Sequence, residues 1–377
     1  MNILVACDSF KGSLTAVEAC TIIAATLGRI HPGWNLRICP LADGGEGTAE
    51  LLTGAAQGCW RDVGDVMGPL PGMRMTASYG WVAPSATAIV EMARASGLVL
   101  LDAAHRRPLE TTTYGTGQLL QAAVRQGARH ILLTLGGSAT VDGGTGAARA
   151  LGWRFLDAMG QPVPLGGGSL STLRRIVPPV NRLPEVTVLC DVVNPLCGAQ
   201  GAARVFAPQK GATPAQVEML EQGLAHLAEL IQEQLGMNVA VIAGGGAAGG
   251  FGAGAVAFLG GRLRGGIAVV MERLRFEQEL RSADWVITGE GCLDPTSLHG
   301  KVVSGVLERA RRFGVPVAVL AGRLQLNAKE CTRAGVRHAL SVTPEDMPLD
   351  EAFARAAELL SCAAERLAAR LHPPSRT

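Results

Sequence analysis

The sequence predicts an α/β fold with parallel, doubly wound sheets, and three observations carry the prediction. Short apolar runs of buried-strand type alternate with helical stretches at both chain ends, a rhythm that builds right-handed parallel units. Polar, glycine-rich clusters recur where those runs stop. Finally, 377 residues, at roughly 150 per domain, suffice for two domains with their own cores.

Near the N-terminus, residues 2–7 read as a strand and 14–29 as a helix capped by Ser13; 35–41 read as a second strand and 46–57 as a helix. Near the C-terminus, strands are expected at 284–288, 316–320 and 336–342, and helices at 300–313, 327–334 and 349–371. The middle, about 70 to 280, differs in texture. It shows strand-like pieces within 79–92, a helix at 115–126, a strand at 130–135 and a helix at 144–151. A Gly- and Pro-rich passage (160–184) leads to a strand at 186–190. Thr213 before Pro214 opens a helix running to about 235. Residues 239–243 and a run ending at Met271 read as further strands, and 372–377 as a frayed tail.

Composition narrows the function. Lys and Arg number 34 against 32 Asp and Glu, a net charge of +2, which argues against a nucleic-acid binder relying on a basic field. With 48% hydrophobic and 18% charged residues, disorder is excluded as the main theme. Glycine is the oddity: 49 residues, nearly twice the usual ~7%, imply many tight turns and close backbone approaches. Nine cysteines form no Cys-x-x-Cys pair and no zinc spacing; Cys7, Cys20, Cys39, Cys190 and Cys197 lie in or beside apolar runs as buried, reduced thiols. No signal-peptide pattern opens the chain, so a cytoplasmic protein is expected. Residues 234–261 carry no charge, but ten glycines there disfavour a membrane helix.

Seven clusters fall at the expected carboxyl ends of strands, where open α/β sheets bind ligands. They are Asp8-Ser9-Phe10-Lys11-Gly12, the loop of Asp43 and Glu46, the loop of Ser138 and Asp142, Asp191 to Asn194, Gly244-Gly245-Gly246, Glu290 to Asp294, and Ala321-Gly322-Arg323. Glycines at such places let backbone N–H groups point at an anion such as phosphate. Carboxylates there would repel phosphate, so a divalent cation, Mg²⁺, is the natural mediator.

Single motifs say less. Gly244-x-Gly246-x-x-Gly249, followed at a distance by Glu272, formally matches a dinucleotide fingerprint and keeps an NAD(P)-dependent oxidoreductase as an alternative. A catalytically silent metabolite-binding protein is a second alternative. No P-loop occurs: the nearest approach, before Gly300-Lys301, has Pro295 where the first glycine belongs. Lys11, fixed between a strand and a helix beside Asp8, is a candidate phosphate ligand; Lys210 and Lys301 read as solvated by default. Arg106 and Arg107 precede Pro108 and three threonines, either a carboxylate clamp or a charged loop. The histidines at 105, 130, 226, 299, 338 and 372 show no partner spacing.

Taken together, DSFKGS, PLADGGEGT, TTTYGTG, GGSATVDGG, CDVVNPLCG, PQKGAT, GGGAAGGFG and GEGCLDPTSLHGK closely resemble the bacterial glycerate kinases of the glycerate 2-kinase type, in that family's order and over nearly the whole chain. The resemblance implies phosphoryl transfer from MgATP to D-glycerate, giving 2-phosphoglycerate and ADP. It also implies a discontinuous Rossmann-like domain (1–70 and 280–377), an inserted α/β domain (71–279) and an active site in the cleft. Small molecules are the expected partners, with no nucleic acid and no membrane; a homodimer stays open. Cys7 stands where proline is usual, Val141 where asparagine is usual, and Cys292 where arginine is common, a charge Arg323 is expected to supply.

In-line transfer needs alignment and charge neutralisation more than covalent help. Lys11 is expected at the γ-phosphate, with Glu290 and Asp294 beside the phosphates and Mg²⁺. Asp191, supported by Asn194, is expected to orient or deprotonate the glycerate hydroxyl or to hold the metal. Ser138, Asp142 and Gly244, Gly245 and Gly246 would line the wall from the inserted domain. Arg107 or Arg323 would hold the substrate carboxylate, and Asp8, Ser9, Asp43, Glu46 and Lys301 complete the expected binding set.

Overall fold

The computed structural model describes residues 1–180, 183–298 and 300–373. Asn181 and Arg182 of the 160–184 passage, His299, and 374–377 of the expected tail lie outside the described residues. The chain divides into two compact units, Met1–Asp43 with Ile267–Thr377, and Gly44–Gly266. These limits differ from the 70 and 280 read from sequence. The difference follows from pairing: strand Cys59–Met67 lies antiparallel on Arg74–Val82, and helix Thr48–Ala55 packs on Arg74–Val82 and Thr87–Glu91.

The first unit is a five-stranded sheet in the order Val336–Ser341, Val317–Leu324, Trp285–Leu293, Asn2–Val5, Asn35–Ile38. Every pairing in it is parallel, as the strand-helix alternation predicts. Parallel strands are covered on both faces, hence the continuous apolar runs such as Ile3-Leu4-Val5, each at most 1% exposed. Helix Ala16–Ile30 begins at Thr15, whose hydroxyl accepts from Glu18 N while Glu18 caps Thr15 N in return. The expected cap, Ser13, instead donates its hydroxyl to Phe10 O in the preceding turn. This helix buries Cys20, Ile23 and Leu27 and packs against helix Ala356–Ala368. The long terminal helix expected at 349–371 is two, Leu349–Ala354 and Ala356–Ala368, separated at Arg355.

The second unit holds a six-stranded sheet in the order Arg262–Arg264, Glu185–Leu189, His130–Thr134, Thr87–Glu91, Arg74–Val82, Cys59–Met67. The first four are parallel and the last two antiparallel. Its core includes Val90, Leu119, Leu133, Leu224 and Phe251, all fully buried. Helix Pro214–Leu235 is capped by Thr213 with Gln216 reciprocating.

Two expected strands are absent. Residues 239–243 form irregular chain and a turn, with Val241 75% exposed, and the run ending at Met271 belongs to helix Gly266–Arg273. The dinucleotide fingerprint therefore lacks its leading strand, and Glu272 sits on a helix. The segment after Gly246 is broken by left-handed φ values at Ala248, Gly249 and Gly250. A Cβ on Gly249 would lie 2.0 Å from Thr140 O, and one on Gly254 2.1 Å from Gly143 O. These glycines let backbone pack on backbone, and the oxidoreductase alternative loses its structural footing. No described helix is long and apolar enough to cross a membrane.

Candidate active site

In the first unit the polar clusters surround one cavity of about 310 Å³. Asp8, Ser9 and Lys11 reach it from the loop after Asn2–Val5, and Asp43 from the loop after Asn35–Ile38. Two further clusters lie inside strands rather than beyond them. Trp285–Leu293 carries Glu290 and Cys292, two residues apart and so on one face, while Val317–Leu324 carries Arg323. The parallel register sets Cys292 beside Arg323, so an arginine stands next to the position from which one is missing. Asp294 and Lys301 line the cavity as well, with Ser13 and Thr343. Val342, Leu349, Ala352, Phe353 and Leu359 add an apolar stretch of wall.

The carboxylates here press on one another. Asp8 is 8% exposed and its pKa is pushed up to about 7, first by burial and then by the charge of Asp43, with Glu290 adding to it. Ser9 N donates to Asp8 Oδ1 at 2.7 Å, and both that bond and Lys11 oppose the rise. Burial raises Glu290 as well, aided by Asp294 and Asp43. Glu290 Oε1 is buried with no hydrogen-bond partner among the described residues. Asp294 goes the other way, held low chiefly by the Thr296 hydroxyl at 2.6 Å. Its Oδ1 also accepts from Thr296 N and Ser297 N, shaping the turn into which Lys301 Nζ donates at Thr296 Oγ1, 2.8 Å away. An unsatisfied, hard carboxylate oxygen among like charges is chemically suited to a divalent cation. Among the described residues no three His, Cys, Asp or Glu side chains form a metal cage by themselves.

The remaining expected residues belong to the second unit. Asp142 is fully buried and raised by burial. Its Oδ2 accepts from Thr113 N (2.8 Å), Thr113 Oγ1 (2.9 Å), Thr112 Oγ1 and Gly146 N, and its Oδ1 from Gly144 N. It locks two loops together. Ser138 accepts from the buried Lys210 Nζ at 2.7 Å; the same ammonium reaches Thr140 O at 2.7 Å. Lys210 is thus not solvated, and burial pulls its pKa down to about 7. Asn194 Nδ2 donates to Gln200 O, and Gly246 N donates to Asn194 O. Asp191, half-buried past strand Glu185–Leu189, has its Oδ2 buried beside Gly44. Glu46 is exposed, and Arg107 is exposed and pairs with Glu110 at 3.5 Å. The helix that follows Glu46 already has an anion at its N-terminus: Glu91, 2% exposed, accepts from Gly47 N and Ala49 N. Sequence reasoning missed Glu91 and Lys210. Glu91 ends an apolar strand, a position at which an acid is unusual unless paired, and Lys210 adjoins a left-handed glycine.

An all-parallel sheet that gathers carboxylates, two lysines and an arginine round one cavity defines an α/β protein with a mixed-charge pocket in its first unit. A family profile described as "Glycerate kinase family" matches residues 3–372. Glycerate kinase of Halalkalibacterium halodurans is 45% identical over 371 residues, covering 97% of each chain. Glycerate 2-kinase of Escherichia coli is 42% identical over 375 residues, covering 98% of each. The crystal structure of putative glycerate kinase 2 from Salmonella typhimurium matches with a TM-score of 0.84 at 43% identity, covering 98% of each chain. The chain belongs to the glycerate kinase family.

Proposed function

We propose that this protein transfers the γ-phosphoryl group of ATP to D-glycerate, releasing ADP and 2-phosphoglycerate. What supports the reading, beyond family membership, is one cavity lined by Lys11, Lys301 and Arg323 together with Asp8, Asp43 and Glu290. A pool of carboxylates alone would repel a triphosphate; mixed with cations it suits one carried with Mg²⁺. Glu290, with Asp294 nearby, would hold the cation, whose chemistry is to neutralise charge on the phosphate oxygens. Lys11 holds the γ-phosphate. Arg323 holds the glycerate carboxylate in preference to Arg107, whose guanidinium is already engaged by Glu110. The proton of the attacking hydroxyl would pass to a carboxylate as the new O–P bond forms and the bond to ADP breaks, the role that the sequence resemblance suggests for Asp191. Nothing in this needs a covalent enzyme intermediate.

The deciding experiment mixes purified protein with D-glycerate, ATP and Mg²⁺, follows ADP release and reads the product by phosphorus NMR. Phosphorylation at O2 is expected. Asp294→Asn and Asp191→Asn should each lose at least about two factors of ten in kcat while remaining folded. Near-normal turnover in both variants refutes the assignment, and no glycerate-dependent ADP release refutes the activity.

A further inference from the structure

The apolar wall of the same cavity has no use in the reaction just described. Glycerate carries a carboxylate and two hydroxyls and presents no apolar surface. Of the two co-substrates only the nucleotide has a flat, weakly hydrated part, its base. The wall comes from the paired helices Leu349–Ala354 and Ala356–Ala368 and from Val342. Phe353 is its one aromatic ring, 40% exposed although large and apolar, as is Leu349 at 49%. The ring leans on the loop that carries Lys11: a Cβ on Gly12, where φ is +83°, would lie 3.2 Å from Phe353 Cε2. A left-handed glycine thus brings the ring against the backbone next to the candidate phosphate lysine.

We propose that this end of the cavity is a nucleobase subsite, where the adenine ring of ATP stacks on Phe353 and is flanked by Leu349 and Ala356. The proposal rests on the phosphoryl-transfer reading for the identity of its ligand. Charge sorting sets the orientation, with phosphates toward Lys11, Lys301 and Arg323 and the base toward the helices. Stacking of a base on an aromatic side chain is sequence-tolerant and accounts for about a tenfold or larger share of affinity.

The test is calorimetric, on the full chain without glycerate. Phe353→Ala should weaken MgADP binding at least about tenfold. Ala356→Trp, which fills the subsite from the other side, should do so independently. Inorganic tripolyphosphate, which has no base, should bind all three proteins equally. If ADP binds both folded variants as it binds the parent, or if ADP and tripolyphosphate weaken together, the subsite is wrong. A parent that binds ADP at this wall but never phosphorylates glycerate would sink the proposed reaction and leave the subsite standing. A parent that binds no ADP sinks both.

Discussion

Two acidic regions of this molecule show what burial does to a carboxylate when many donors surround it and when few do. Around Asp142 the chain brings three backbone N–H groups and two hydroxyls to one side chain, and Thr112 and Thr113 of the TTTYGTG segment are spent on it. Around Asp8 and Glu290 fewer donors are at hand, and the charges of Asp43 and Asp294 add to the effect of burial on these two carboxylates. One is pushed up to about 7, and another keeps a buried oxygen that no described group satisfies. The first arrangement is complete without a ligand. The second would gain from a bound cation, and strain of that kind is what binding sites retain. Both regions carry Asp and Gly in similar strings, so the strings alone did not separate a brace from a site.

If the contrast is right, the two regions respond to substitution in different measurements. The largest effect is expected from Asp142→Ala, which strands three backbone N–H groups inside the second unit. Urea denaturation should show a loss of about 3–5 kcal/mol, since each buried donor left unpaired costs about 1–3 kcal/mol and such costs are not fully additive. A loss below about 1 kcal/mol would break the comparison. Glu290→Gln should leave stability unchanged or higher, because it removes one of several repelling charges. It should nonetheless cut kcat at least about a hundredfold, roughly 2.7 kcal/mol of barrier. Normal turnover there would make the acidic cluster structural.

The smallest effect concerns Lys210. Its pKa falls from 10.5 to about 7 on folding, so between those values the unfolded chain binds more protons than the folded one. Stability should therefore rise with pH across the window from about 7 to 10.5, by about 1 kcal/mol or more, and Lys210→Met should flatten that rise. A parallel pH dependence in parent and variant would mean that the buried ammonium keeps its charge throughout.

Much of the first unit was readable because parallel strands buried on both faces leave uninterrupted apolar runs. Residues 2–7, 284–288, 316–320 and 336–342 all became strands, though Trp285–Leu293 and Val317–Leu324 run farther and carry Glu290 and Arg323 within them. The hairpin Cys59–Met67 and Arg74–Val82 was less readable: its edge strand is largely exposed, and Asp62, Gly64 and Asp65 interrupt any alternation. Residues 239–243 failed oppositely, since five apolar residues satisfy a strand pattern while pairing with nothing. For the site, the positions of Lys11, Glu290 and Arg323 on one cavity follow from strand order. The role of Lys210 does not, because nothing local announces that a lysine will be sealed behind Ser138 and Thr140. Nor does the sequence separate glycines that cradle an anion from glycines that let two chains touch, as Gly249 and Thr140 do.

The pairing of Ile3 with Trp285 has a consequence for biosynthesis. The strand Asn2–Val5 emerges from the ribosome about 280 residues ahead of the neighbour that will cover one of its edges, and it must stay unaggregated for the whole interval. The stretch translated in between forms a unit whose sheet uses no strand from either end, so it has everything it needs to close first. Nascent-chain folding should thus run from the middle outward, and the amino-terminal strand is the segment with most cause to seek a chaperone.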